Sequence, residues 1–165
     1  MPAKMPALDQ VLELPAMLTL TIPPEWQDIN GHVNVQHYLG IYDRAGWPLL
    51  DLLGIDESRF KVDKVGFFDL EHHIWYLAEM HVGDEVSAHM RFVGLSAKRF
   101  HGLVFIVNRT RGSLASAIEF VTSGADLRTR RSAALPEDVH GRVAALVEEH
   151  RRLSWPPPGS GTISA

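Results

Sequence analysis

Residues 26–38 read Trp26-Gln27-Asp28-Ile29-Asn30-Gly31-His32-Val33-Asn34-Val35-Gln36-His37-Tyr38. They gather an acid, amides, two imidazoles and a phenol in one short stretch. A long periodic segment begins inside it. Val35, Tyr38, Leu39, Tyr42, Ala45, Leu49 and Leu53 fall at steps of three and four, which predicts one face of a helix. Asn34 suits the N-cap, since its side-chain oxygen can accept a first-turn N–H. The polar cluster therefore sits on a loop that feeds a helix N-terminus. Unpaired backbone donors and the positive end of the helix dipole meet there. Such a place can stabilise negative charge, including the oxyanion of an attacked carbonyl. Gly46-Trp47-Pro48 is expected to kink or interrupt the helix, because proline lacks an N–H and crowds the preceding turn. Gly54 is its expected stop.

Upstream, Met17–Ile22 alternates and is β-rich, so it reads as a strand ended by Pro23-Pro24. Residues 1–16 hold three prolines and read as a leader on the surface. Downstream come four strand-like segments, Val62–Val82, Asp84–Gly94, Arg99–Thr110 and Leu114–Gly124, joined at turn-like Gly-Asp, Gly-Leu-Ser-Ala-Lys and Arg-Gly-Ser sequences. Short joints between successive strands favour an antiparallel meander. A last helix is expected over Glu137–Leu153, opened by Pro136. Residues 154–165, rich in proline and glycine, read as a flexible tail. The fold class is α+β: one antiparallel sheet of about five strands against one long helix, in a single domain over residues 17–153.

Composition narrows the function. The 165 residues are 45% hydrophobic and 22% charged, as in ordinary soluble globules. There is no cysteine, which excludes disulfides, thiolate zinc sites and a cysteine nucleophile, and fits a reducing cytoplasm. No apolar run approaches the ~20 residues of a membrane span. The net charge of −4 is uneven: residues 1–83 carry twelve acids against five bases, residues 84–165 eight acids against eleven bases. The later half could meet an anionic ligand but is too weakly basic to argue for nucleic acid.

The chain lacks G-x-S-x-G, H-E-x-x-H, P-loop and G-x-G-x-x-G signatures. Asp28, His32 and His37 could cluster around a hard metal, but their spacing matches no familiar site, and neither metal nor cofactor is expected. Asp28 can be read in two ways. It could direct a water to, or itself attack, a bound carbonyl, or it could merely cap the Asn30-Gly31 turn. Asn30 and His32 could serve the same site or brace the loop. Tyr38 and Tyr42 read as helix packing by their periodicity. His72 and His73 are neighbours in a strand and face opposite ways, so at most one can join a site. Lys98 and Arg99, with Arg109, Arg111, Arg128, Arg130 and Arg131, form a solvated face unless the substrate carries phosphates.

The pattern Trp26-x-Asp28-x-Asn30-Gly31-His32-Val33-Asn34-x-x-x-Tyr38, running into an apolar helix with Asp43 near its middle, resembles the hotdog-fold thioesterases of the 4-hydroxybenzoyl-CoA thioesterase-like superfamily. Later segments agree: Ile74-x-Tyr76-Leu77, Val82-Gly83-Asp84, Ser96-Ala97-Lys98-Arg99 and the Asp126–Ser132 ending. The resemblance covers about residues 17–135. It implies a sheet wrapped around the central helix, assembly as a homodimer or a dimer of dimers with active sites at the interface, and hydrolysis of an acyl thioester, with acyl-CoA the expected substrate. By the same resemblance Asp28 matches the catalytic carboxylate, as base or nucleophile, and Asn30 and His32 match its polar partners. Asn34, Tyr38 and Asp43 are expected near substrate, and Lys98, Arg99 and Arg130 near the CoA phosphates. Some plant members have been assigned a cysteine that this chain lacks, which favours an Asp28-centred mechanism. A non-catalytic acyl-binding module and a hydratase or dehydratase of the same fold are the alternatives.

Overall fold

The computed structural model describes residues 3–165. In chain order the elements are helix α1 (Leu8–Val11), strand β1 (Ala16–Thr21), a 3-10 turn (Pro24–Trp26), helix α2 (Gln36–Leu52) and a π-helical turn (Arg59–Asp63). Strands β2 (Val65–Tyr76), β3 (Glu85–Leu95), β4 (Arg99–Asn108), β5 (Ser113–Asp126) and β6 (Arg131–Ser132) follow, and helix α3 (Glu137–Arg151) ends the series.

Every strand pair is antiparallel. The sheet order is β1-β3-β4-β5-β2, with β6 beside β5. The expected meander therefore holds only for β3-β4-β5. β2 lies at the far edge, next to β5, because the chain between β2 and β3 crosses the mouth of α2. There the Met80 carbonyl accepts the Val33 N–H, and the Ala78 carbonyl accepts the Tyr38 hydroxyl.

Helix α2 is the apolar partner of this sheet. Tyr38, Ile41, Ala45, Leu49 and the following Leu53 are buried with Met90, Phe92, Val104, Ile118 and Phe120. The buried stripe differs from the sequence expectation at two points. Val35 and Leu39 are exposed, and Ile41 takes the inner position instead. Pro48 does not end the helix either. A proline inside a helix costs about 3 kcal/mol, and burial of several aliphatic side chains at roughly 1.5–3 kcal/mol each offsets it. Gly54 has φ +72° and stops the helix as expected.

β4 explains its own apolar run. Val104 and Ile106 face α2, whereas Leu103, Phe105 and Val107 face a second apolar layer on the other side. A strand buried on both faces needs no polar alternation. Val11 and Leu14 from the leader and Trp155 from the tail build that second layer. The stretch read as a flexible tail thus contributes Trp155 and Ile163, at 3% and 7% exposure, to the packed interior. The Glu119 carboxylate, itself buried, accepts the Ser160 N–H and bonds His101 on the same outer face.

Candidate active site

The loop before α2 is closed by its own backbone. Asp28 N–H donates to His32 O at 3.0 Å, Gly31 N–H donates to Asp28 O at 3.1 Å, and Asn34 N–H donates to Trp26 O at 2.8 Å. Gly31 takes φ +84°, which a side chain would disfavour. This tight reversal turns Asp28, Asn30 and His32 into one cleft with Val33, Val35, Tyr38, Tyr76, Leu77, Ala78 and Glu79, of about 540 Å³.

Both readings of Asp28 have a physical counterpart in the cleft. Its Oδ1 accepts the Asn30 N–H at 2.8 Å, the expected turn cap. Its Oδ2 meets only the Asn30 amide nitrogen, at a long 3.4 Å. His32 Nδ1 stands 3.8 Å from Oδ1, too far for a hydrogen bond, and lies nearer the Val33 carbonyl at 3.3 Å. Oδ1 is therefore held closely and Oδ2 only by a long contact, in a residue that lines the cleft.

Asn34 caps α2 as expected, its Oδ1 accepting the Gln36 N–H at 3.1 Å. Because the His37 and Tyr38 N–H groups go to the Asn34 and Val35 carbonyls, the helix mouth offers fewer donors than the sequence suggests. Among the described residues, no acceptor meets the Val35 N–H, and Val35 is one of the residues that line the cleft. Tyr38 is buried and braces the floor. Burial, followed by neighbouring charge, raises its phenol pKa, so it remains a donor to Ala78.

The other expected site residues lie elsewhere. Asp43 is one helix turn beyond, at a second cavity. Lys98 ends the β3–β4 turn, Arg99 opens β4, and Arg130 occupies the turn before β6 with φ +58°. These three sit at the Val65 end of β2, because Arg99 pairs with Ser123, which pairs with Phe68. The Asp28 cleft is at the Tyr76 end. Eleven residues of extended strand separate the two ends by roughly 36 Å along the chain.

The second cavity holds about 280 Å³ between α2 and the sheet. Tyr42, Trp47, Phe67, Phe100 and Phe120 line it, and Asp43, Asp69 and Thr122 supply its polar groups. Tyr42 Oη donates to Asp69 Oδ2 at 2.9 Å, and Thr122 Oγ1 donates to Asp69 Oδ1. His72 Nε2 is 3.4 Å from Oδ2, close to the carboxylate but without an aligned hydrogen bond. Burial opposes the charge of Asp69, but His72, Thr122 and Tyr42 outweigh it and hold the carboxyl below its ordinary range. Burial and the Asp69 charge push the Tyr42 phenol well above its ordinary value.

Asp69 and Thr122 carry no signal in the sequence, where Asp43 is expected near substrate, at most one of His72 and His73 can join a site and Tyr42 reads as packing. The reason is a β-bulge between Asp69 and Glu71, where Leu70 is the extra residue. Without it, Asp69 and His72 would point to opposite faces; with it, both face α2. Of the two adjacent histidines, His72 joins the group and His73 is exposed.

Residues 22–143 match the thioesterase-like superfamily. The chain belongs to that superfamily. Its sheet and central helix are the hotdog fold that the resemblance implied. A betainyl-CoA thioesterase from Pseudomonas aeruginosa is 31% identical over 85% of this chain and 87% of its own length. A hypothetical protein from Staphylococcus aureus, solved in complex with CoA, is 26% identical, covers 87% of this chain and 90% of that one, and superposes with a TM-score of 0.77. A candidate thioesterase from Pseudomonas putida KT2440 is 28% identical, covers 98% of this chain and 99% of that one, and has a TM-score of 0.76. Among the described residues of this thioesterase-superfamily chain, no helix is long and apolar enough to cross a membrane.

Proposed function

We propose that this chain hydrolyses an acyl-CoA, with Asp28 as the group that attacks the thioester carbonyl or deprotonates the attacking water. The observation that carries the reading is the Asp28 carboxylate lining the cleft, held closely by the Asn30 N–H at Oδ1 and only by a long 3.4 Å contact from the Asn30 amide at Oδ2. A base needs an oxygen within reach of the reacting centre, and Oδ2 is the less firmly held of the two. Val35 lines the same cleft and its N–H has no acceptor among the described residues, so it is the donor assigned to the developing oxyanion. The relative named betainyl-CoA thioesterase makes betainyl-CoA the first acyl-CoA to try. Hydrolysis of a panel of acyl-CoAs, followed by release of the CoA thiol, tests the reading. Tight binding of every member without thiol release would overturn it.

The working unit of this reading is a homodimer. β2 is a free sheet edge, and Phe68, Leu70 and Tyr76 on it are exposed, as are Leu39 and Trp47 on α2. An exposed edge beside an apolar patch favours association. Two-fold antiparallel pairing of β2 with a second copy places the Tyr76 end of one chain against the Val65 end of the other. That brings Asp28 of one copy toward Lys98, Arg99 and Arg130 of the other, which within one copy lie toward the opposite end of β2 from it. Light scattering should give at least twice the single-chain mass of 18.4 kDa, and a monomer at working concentrations would overturn the assembly.

Lys98, Arg99 and Arg130 are the groups assigned to the CoA phosphates. Binding of a remote phosphate serves ground and transition states alike. Each alanine substitution at these positions should therefore raise KM severalfold, the scale of one charge-assisted hydrogen bond, with kcat little changed. Three variants with wild-type KM would remove the assignment.

A further inference from the structure

The aromatic cavity beside Asp69 has no task in the chemistry assigned to Asp28, yet its construction is specific. Its walls are rings and aliphatic side chains: Tyr42 and Trp47 from α2, Phe67 from β2, Phe100 from β4 and Phe120 from β5. Its acidic groups are Asp43 and Asp69, and the nearest titratable base is His72. The bulge at Leu70 turns Asp69 inward, and bulges of this kind commonly re-aim a side chain beside a functional site. A shallower cleft lined by Gln36, Leu39, Gly40, Tyr42, Asp43, Asp69 and His72 opens onto the same groups. Tyr42 is one helix turn, about 6 Å, beyond Tyr38 of the Asp28 cleft. Two-fold pairing of β2 also sets the Asp69 end of one copy against the Asp28 end of the other.

We infer that this cavity is a subsite for a quaternary ammonium carried on the acyl group, read by the aromatic rings and by the Asp69 carboxylate. The inference deepens the thioesterase reading and rests on it. Rings present their negative faces to a cation within about 6 Å, and quaternary ammonium ligands are commonly bound this way. The hydrogen-bond accounting separates quaternary from primary ammonium. Tyr42 and Thr122 already donate to the two oxygens of Asp69, and His72 crowds Oδ2. Its charge remains, but few lone pairs are left. A trimethylammonium head has no N–H to place and needs only charge and rings, whereas a primary ammonium would compete for occupied acceptors. At about 280 Å³ the cavity suits a small head group and not a long chain.

The test compares two CoA thioesters of equal shape: one with an acyl group ending in trimethylammonium, the other with tert-butyl in its place. The wild-type protein should favour the cation about tenfold or more in kcat/KM, the scale of a desolvated cation–π and charge contact. Asp69→Asn should lower kcat/KM for the cationic thioester about tenfold more than for the neutral one. Tetramethylammonium should inhibit the wild-type protein competitively, and more weakly inhibit Asp69→Asn. Equal rates on the two thioesters, or an unchanged ratio in Asp69→Asn, overturn the subsite. If neither thioester is cleaved, the thioesterase reading fails instead. Calorimetry of tetramethylammonium with both proteins then decides the cavity: tighter binding by the wild type supports it and no binding overturns it. Should Asp69→Asn fail to fold, Trp47→Leu takes its place: it removes one exposed ring of the cavity, and a loss of cation preference in the same direction is expected.

Discussion

Asp28→Asn is expected to give a folded protein that binds acyl-CoA and has lost roughly two or more orders of magnitude in kcat, the usual cost of removing a general base. The substitution is nearly isosteric. Asparagine can still accept the Asn30 N–H through its own oxygen, as Asp28 Oδ1 does at 2.8 Å, so the Gly31 turn survives. What disappears is the basicity of the second oxygen, which only the long Asn30 amide contact holds. No cysteine is present to take over as nucleophile. KM should stay within a few-fold, since a group that acts only on the way to the transition state leaves substrate binding alone. Thiol release at nearly the wild-type rate would remove Asp28 from the mechanism, and His32, in the same cleft, would then be the residue to replace.

Trp155→Ala is expected to have the largest effect on stability. Trp155 is 3% exposed, meets Phe105 edge-on at 5.7 Å, and lies under the Arg91 guanidinium with Cζ 4.0 Å from the ring centroid. Arg91 is buried and has no carboxylate partner among the described residues. The Trp155 carbonyl at 2.9 Å, the His150 carbonyl at 3.3 Å and the indole face are what it has instead. Removing the ring leaves a cavity and uncovers a buried cation. Truncating a buried tryptophan costs about 3–5 kcal/mol, which lowers Tm on the order of 10 °C in a chain of this size. Trp155→Phe should recover most of that loss. A melting curve for Trp155→Ala that overlays the wild type would mean that the tail does not hold the sheet.

How legible these features were depends on how far apart their parts lie in the chain. The Asp28 cleft was legible because Asp28, Asn30, His32 and Tyr38 come from one continuous stretch, whose turn and helix start have local signatures. β3, β4 and β5 were legible from their turns. The place of β2 beside β5 was not, because strand order depends on where residues 77–84 cross α2. Leu39 and Ile41 show the same limit. Both fit a helical apolar pattern to within one step, and only the angle at which α2 meets the sheet decides which goes inside. The Asp69 group was hidden for a further reason. Leu70 looks like any strand residue, so nothing local announces the bulge that turns Asp69 toward Tyr42 and Thr122. Trp155 was hidden by its company. A window rich in proline and glycine reads as disorder, yet one large ring over Arg91 is enough to anchor it.

The two ends of the sheet are unlike, and that difference governs how chains can add to one another. β1 is six residues long and β2 is twelve. If β2 of one chain joined β1 of the next, each new member would expose another β2, and growth would have no natural stop. When β2 joins its own copy, the contact is isologous and consumes the long edge of both chains at once, so assembly by that edge ends at two. The bulge at Leu70 sharpens the choice. It breaks the regular hydrogen-bond ladder along β2, so an arbitrary strand cannot zip along the full edge. In such a dimer the residue that aims a carboxylate into the cavity would also limit which strands can add to the edge.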